Sequence, residues 1–228
     1  MAQNISDQQF DQLQSYQALR KIIGIIGVLL PFILAAGTSV LSECGVWPSL
    51  SSYYYSILGD VFVGALFMIG IFLMFYKGYD DHDSNICSLA GACAIGVALF
   101  PTKVDCLIPI EVFRKINLIS PEHVGQIHLV IAASFFLLIA YISMMLFTKT
   151  ADKSKMTREK IKRNKVYRAC GIIILLSIAL IAFAKISGYQ EAYFILGMRP
   201  VFLLETIAII AFGVAWLVKG EAIFNDRP

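Results

Sequence analysis

Long apolar stretches alternate with short polar segments along most of this chain. Each stretch approaches the ~20 residues that an α-helix needs to cross a bilayer. The predicted spans lie at about 22–41, 57–76, 86–100, 124–147, 167–184 and 198–218. The pattern therefore predicts an all-α bundle of six transmembrane helices in one membrane domain, 22–219. A polar segment, 1–21, precedes this domain, and a polar tail, 220–228, follows it.

Local signals refine three of these elements. The third span is rich in small residues, among them Ala90, Gly91 and Ala94. Small residues let helix backbones approach closely, so we expect this helix to be central in the bundle. Pro200 suits the first turn of the sixth helix. Segment 1–21 is expected to form a short interfacial helix, with a disordered tail as the alternative.

Basic residues are distributed very unevenly between the polar connections. Nine of the 19 Lys and Arg residues lie between Lys149 and Arg168. The first, third and fifth connections together hold only a few of them, namely Lys103, Arg114, Lys115, Lys185 and Arg199. Because positive charge marks the cytoplasmic side, both termini are predicted to be cytoplasmic.

The composition is that of a membrane protein, with 58% hydrophobic residues and a formal net charge of only +3. The charge concentrated in the inner connection, 149–168, is expected to attract anionic lipid headgroups, at ~1 kcal/mol per basic residue. Nucleic acid is not an expected partner, because these basic residues lie beside membrane spans. An oligomer is an open possibility.

Three ionisable residues fall inside predicted spans at a similar depth. Asp60, His128 and Glu205 each lie near the outer end of their helix. Ionisable side chains inside a membrane usually face the bundle and are paired. We therefore predict that the three converge in one polar pocket that opens outward, beneath the loops 42–56 and 102–122.

Other polar residues of the outer side are expected to line the rim of this pocket and help to bind a ligand. The candidates are Ser52, Tyr54, Lys103 and Arg199. The two cations suit a phosphate or carboxylate group.

Asp60, His128 and Glu205 allow three kinds of chemistry. They could ligate a divalent metal ion that activates water. They could act as general acid and base without a metal. They could also bind a headgroup or a proton for transport. A His123–His128 metal pair is disfavoured, because a spacing of five places the two rings on different helix faces.

The cysteines divide between the two sides of the predicted membrane. Cys44 and Cys106 fall in outer loops. They form either a disulfide, if that side is oxidising, or two unpaired thiols.

Several phrases resemble a bacterial multi-pass membrane protein family of unknown function. They are Ser52-Tyr53-Tyr54-Tyr55, Asp60-Val61-Phe62-Val63-Gly64, Tyr76-Lys77-Gly78-Tyr79, Gly96-Val97-Ala98-Leu99-Phe100-Pro101 and Trp216-Leu217-Val218-Lys219-Gly220. The resemblance implies a multi-pass protein of the bacterial cytoplasmic membrane. The outer Ser, Asp and His residues are also similar to those of alkaline ceramidases and adiponectin-type receptors, which have seven spans and a late histidine pair.

Three functions follow as hypotheses. The leading one is an integral membrane protein that recognises or moves a lipid or small amphiphile through the outward pocket. The second is a metal-assisted intramembrane hydrolase of lipid esters or amides. The third is a membrane scaffold or assembly factor.

Overall fold

A computed structural model of the chain describes residues 2–42, 45–103, 121–150, 156–189 and 198–224. Helix makes up 82% of the structure, and the described residues contain no strand, so the predicted all-α class is confirmed. The α-helices in these residues are α1 Ala2–Ser42, α2 Gly59–Phe75, α3 Asp81–Leu99, α4 Pro121–Tyr141, α5 Arg158–Ser187 and α6 Pro200–Lys219. A 3₁₀ turn, Ser51–Tyr55, follows α1, and a π-helical turn, Ile142–Leu146, extends α4.

Four of the helical segments are long and apolar enough to cross a membrane. They are Gln14–Ser42, Glu122–Leu146, Arg158–Ser187 and Pro200–Lys219, and α2 is a shorter apolar helix of 17 residues. Large apolar side chains project outward from α5, including Leu176 and Phe183, which are 58% and 61% exposed. An exposed apolar surface of this kind is typical of contact with lipid. The chain is an integral membrane protein.

The helices pack in chain order, and α6 closes the arrangement by packing against α1. The two ends of the bundle carry different segments. The capped end carries the folded connection 45–58 and the N-terminus of α6. The basic end carries the connections 76–80 and 147–150 together with the residues that follow α6. Both ends are polar, and the hydrophobic core lies between them.

Helices α1 and α5 begin much earlier than the apolar pattern predicts. Residues 2–21 do not form a separate short helix but are the first half of α1. The reason is local, because no proline or glycine before Gly24 interrupts the helix. Helix α5 begins at Arg158, where the Thr157 hydroxyl accepts a hydrogen bond from the Lys160 N–H at 3.1 Å. This contact caps the helix. The predicted position of Pro200 in the first turn of α6 is confirmed.

Glycines bring two pairs of helix backbones into contact. A Cβ atom added to Gly91 of α3 would lie 2.4 Å from the Gly70 carbonyl oxygen of α2. One added to Gly213 of α6 would lie 2.6 Å from the Gly24 carbonyl oxygen of α1. The prediction of close packing by the small residues of α3 is confirmed, and Ala90 beside Gly91 is fully buried.

We expect Gly91→Ala to destabilise the protein by roughly 1–3 kcal/mol, because the new methyl group must push two backbones apart. Gly64→Ala is the matched control, since Gly64 lies in α2 with no atom within 4 Å of an added Cβ. Thermal unfolding of both variants in detergent checks this. Equal midpoints would contradict the backbone contact.

Candidate functional site

Glu205 of α6 holds the folded connection of the capped end. Its Oε2 atom accepts hydrogen bonds from the backbone N–H groups of Leu50, at 2.6 Å, and Ser51, at 3.3 Å. These donors stand at the start of the 3₁₀ turn, where N–H groups have no partner within the turn. The carboxylate therefore caps a turn in a distant part of the chain.

Glu205 also borders a small cavity among the helices. The cavity has a volume of about 30 Å³, and its other walls are mainly apolar, including Phe62, Leu66 and Phe135. This volume is large enough for a water molecule, whereas a lipid headgroup requires several times more space.

His128 and Asp60 occupy different environments. His128 is buried, and its Nδ1 atom lies 2.6 Å from the Phe100 carbonyl oxygen. Because a carbonyl only accepts, Nδ1 carries the proton in this contact. Asp60 is exposed on the first turn of α2. The Lys185 ammonium of α5 interacts electrostatically with both His128 and Glu205.

The predicted metal set is not assembled. Among the residues that the structure describes, no three His, Cys, Asp or Glu side chains come together as a group that could hold a metal ion. Asp60, His128 and Glu205 are therefore not such a group. The carboxylate of Asp60 is exposed, whereas the ring of His128 is buried. Cys44 and Cys106 lie outside the described residues.

The predicted rim residues differ in burial. The Ser52 hydroxyl donates to the Ser49 carbonyl oxygen at 2.6 Å and is buried. Tyr54 is half-buried, with its ring 5.1 Å from that of Tyr55. Lys103 is exposed. Arg199 is the N-cap residue of α6 and is half-buried.

A much larger space than the cavity at Glu205 lies at the basic end. It has a volume of about 480 Å³, within the range of small-molecule sites. We call it the basic pocket, and α1, α5, α6 and the α2–α3 connection supply most of its walls. Its cationic lining residues are Arg20, Lys77, Lys160, Arg163 and Lys219. Glu221 is the one carboxylate in the lining.

Two of these cations, both from α5, are engaged by neighbouring protein groups. Lys160 Nζ donates to the Phe147 carbonyl oxygen at 2.9 Å. Arg163 is buried, donates to the Phe224 carbonyl oxygen at 3.1 Å and lies 3.7 Å from Glu221 Oε1. Their positions follow from the helix, because residues three apart share one face.

Arg20 and Lys219 have aromatic neighbours instead. The Arg20 guanidinium lies 4.3 Å from the ring centroid of Tyr16 and 5.4 Å from that of Tyr76. Its buried Nε atom has no hydrogen-bond partner in the structure. Lys219 Nζ lies 5.1 Å from the ring centroid of Phe147. Cation–π contacts stabilise each charge and leave its N–H groups available to an acceptor.

A pair of carboxylates beside the pocket fixes the α2–α3 connection. Asp80 caps α3 by accepting from the Asp83 N–H at 2.8 Å, and buried Asp83 accepts from the Tyr79 N–H at 3.1 Å. Lys149 Nζ bonds both carboxylates, Asp83 at 2.5 Å and Asp80 at 3.0 Å. The Asp83 N–H and Lys149 lower the pKa of Asp80, while Asp83 and Asp80 raise the pKa of Lys149.

Sequence reasoning missed the basic pocket. It treated the basic residues from 149 to 168 as one charged surface that attracts lipid headgroups. The available signal was that Arg20, Lys77 and Lys219 lie at the same end of three different predicted spans as the basic connection. That shared position implied proximity.

A comparison of this chain with protein-family models, curated proteins and solved structures finds no match in any of the three. The site must therefore be interpreted from its own geometry.

We expect Glu205→Ala to lower stability by about 1.5–3 kcal/mol, because the Leu50 and Ser51 N–H groups lose a charged acceptor. Thermal unfolding in detergent measures the loss, and faster hydrogen exchange at residues 50 and 51 locates it. Exposed Glu122 provides the control variant Glu122→Ala. If the control and Glu205→Ala unfold alike, the carboxylate does not hold the connection.

We also expect a pH-dependent contribution from Asp80. Its pKa is lower in the folded protein than in the unfolded chain, so its contacts stabilise the fold above about pH 4. This contribution is lost as the pH falls through the folded pKa. Lys149, whose pKa is raised, behaves oppositely and stabilises the fold below its unfolded value of about 10.4.

Thermal midpoints of the wild type and Asp80→Asn test the acidic limb. The gap between them should be full at neutral pH and close in acid. Exposed Asp81, also in the first turn of α3, provides the control Asp81→Asn. A gap that stays constant down to pH 3 would contradict the assigned role of Asp80.

Proposed function

We propose that this protein is a membrane-embedded receptor that binds a phosphate-bearing anion in the basic pocket. The anion is either the headgroup of a membrane lipid or a soluble phosphate compound. The observation that carries the proposal is the convergence of five cations from separate parts of the chain on one 480 Å³ space. Recognition of a lipid or amphiphile, expected from the sequence at the outer side, is thus proposed at the opposite end.

Charge and chemistry support an anionic ligand. The lining holds five cations and one carboxylate, Glu221, which is a formal excess of four positive charges. Lys219 interacts electrostatically with Arg20, Lys160 and Arg163, which repel it, and with Asp83, which is already paired with Lys149. Arginine and lysine N–H groups make charge-assisted hydrogen bonds to phosphate oxygens.

The aromatic walls support a site at the membrane boundary. Tyr76 and Tyr167 are buried in the lining, whereas Tyr79 is exposed. Tyrosine suits the interface between hydrocarbon and headgroups, since one end of the side chain is apolar and the other polar.

The proposed topology places the basic pocket on the cytoplasmic side of a bacterial inner membrane. All six helices cross the membrane in this proposal, with both termini cytoplasmic. The bias of Lys and Arg toward the basic end supports the orientation. The backbone contact of Gly70 and Gly91 supports α2 and α3 as spans, because such contacts are common between membrane helices. Among the described residues, no group of side chains supports a metal-assisted hydrolase, and no contact with another chain supports a scaffold.

Binding can be measured with purified protein in nanodiscs of neutral lipid. A short-chain anionic phospholipid tests the lipid source, and inorganic phosphate tests the soluble one. Ligand at 100 times its Kd should stabilise the protein by about 2.7 kcal/mol, which a thermal shift detects. The double variant Arg20→Gln and Lys219→Gln should lose this shift for the anion that binds.

Matched controls separate the pocket from general surface attraction. Lys165 and Arg168 are exposed on α5 and do not line the pocket. A double variant with Gln at both positions should retain the shift. No shift with either probe, or an equal loss in both double variants, would overturn the proposed function.

A further inference from the structure

We infer that the basic pocket selects a ligand whose phosphate group carries two negative charges, a phosphate monoester or a diphosphate, over a singly charged phosphodiester. This inference rests on the proposed function. It separates the ligand from bulk anionic phospholipids, whose headgroups are joined to the chain through singly charged diesters.

The first argument is the difference between engaged and available cations. Lys160 and Arg163 already donate to backbone carbonyl oxygens, and Arg163 also lies near Glu221. Lys77 is exposed, so water solvates its charge. Arg20 and Lys219 lie against aromatic rings and make no described hydrogen bond. Lys219 also interacts electrostatically with Asp83, but that carboxylate is already paired with Lys149. Two available cations therefore match two ligand charges.

The second argument is the geometry of the Arg20 side chain. Its Nε atom is buried and has no hydrogen-bond partner in the structure. A buried donor without an acceptor is unfavourable, and an oxygen acceptor in the pocket would remove that cost. Tyr16 and Tyr76 lie beside the guanidinium and hold it in place. Guanidinium N–H groups bind two phosphate oxygens side by side, and a terminal phosphate keeps a third unsubstituted oxygen for Lys219.

The third argument is the cost of leaving charge unbalanced. A diester brings one negative charge and leaves either Arg20 or Lys219 uncompensated in a partly buried site. Charge interactions are stronger in a partly buried site than in water, because the effective dielectric constant is lower. The unbalanced charge is therefore expected to lower the affinity for a diester by at least about tenfold.

Two water-soluble lipids with identical acyl chains test the inference. Dihexanoyl phosphatidic acid carries a monoester, and dihexanoyl phosphatidylglycerol carries a diester. The full-length protein in neutral nanodiscs should bind the monoester at least about tenfold more tightly at pH 7.5. Inorganic pyrophosphate, a doubly or more highly charged anion without acyl chains, tests whether the charged group alone is sufficient.

The pH dependence of the ratio provides a second readout. A phosphate monoester loses its second charge below a pKa of about 6, whereas a diester keeps its single charge. The preference should therefore largely disappear at pH 5. The pocket also holds titratable groups, which are Glu221, the lysines and the tyrosines, with Asp83 interacting with Lys219. The same pH series on Lys219→Arg, whose charge does not titrate in this range, separates the charge of the ligand from that of Lys219.

Single variants identify the cations responsible. Lys219→Gln or Arg20→Gln should bring the two affinities within about threefold of each other, because one available charge remains. Lys219→Arg preserves the charge and should preserve the preference, as should the exposed control Lys165→Gln. Thermal midpoints without ligand confirm that each variant is folded.

The outcomes distinguish the two proposals. Equal binding of both lipids by the wild type, weakened equally by Arg20→Gln, would overturn the charge selection while leaving the anion receptor intact. A preference that persists unchanged in Arg20→Gln and Lys219→Gln would also overturn it. If neither lipid nor pyrophosphate binds, both proposals fall.

Discussion

The basic pocket depends on the close approach of α1 and α6. Gly24 and Gly213 allow the two backbones to touch, and Gly220 lies just beyond α6 against Lys21 and Arg20. Larger side chains at these positions would separate the helices. This contact brings Arg20 and Lys219, which are almost two hundred positions apart in the chain, to one pocket. The glycine contacts between α1 and α6 in the apolar part of the bundle thus position the charged residues of the basic pocket.

The two ends of the bundle satisfy buried polar groups in opposite ways. At the capped end, a single carboxylate from Glu205 accepts from backbone N–H groups, so a negative charge balances the positive ends of peptide dipoles. At the basic end, positive side chains meet carbonyl oxygens and aromatic faces. The carboxylate has two backbone donors, whereas Arg20 retains a buried donor without an acceptor. The ligand site is assigned to the basic end because this donor lies beside a 480 Å³ space lined by five cations, whereas the cavity at Glu205 has about 30 Å³.

The sequence predicted helices better than it predicted neighbours. Apolar stretches located the six helices of the described residues, and Pro200 located the start of α6. The continuous α1 was not predicted, because the polar composition of residues 1–21 suggested a separate segment. No proline or glycine before Gly24 interrupts the helix there. The site was harder to predict, since the depth of a residue in the membrane does not define the direction in which its side chain points. Asp60 and His128 were expected to meet, but one side chain is exposed and the other buried.

The π-helical turn Ile142–Leu146 fixes how the residues after it are rotated about the helix axis relative to α4. A π turn holds one more residue than an α-helical turn and so absorbs that residue within the turn. If the same residues wound as a regular α-helix, everything that follows would rotate by about 100° about the helix axis. Phe147, whose ring faces Lys219, and Lys149, which bonds Asp80 and Asp83, would turn away from their partners. The extra residue therefore sets the register between the membrane-embedded part of α4 and the basic end.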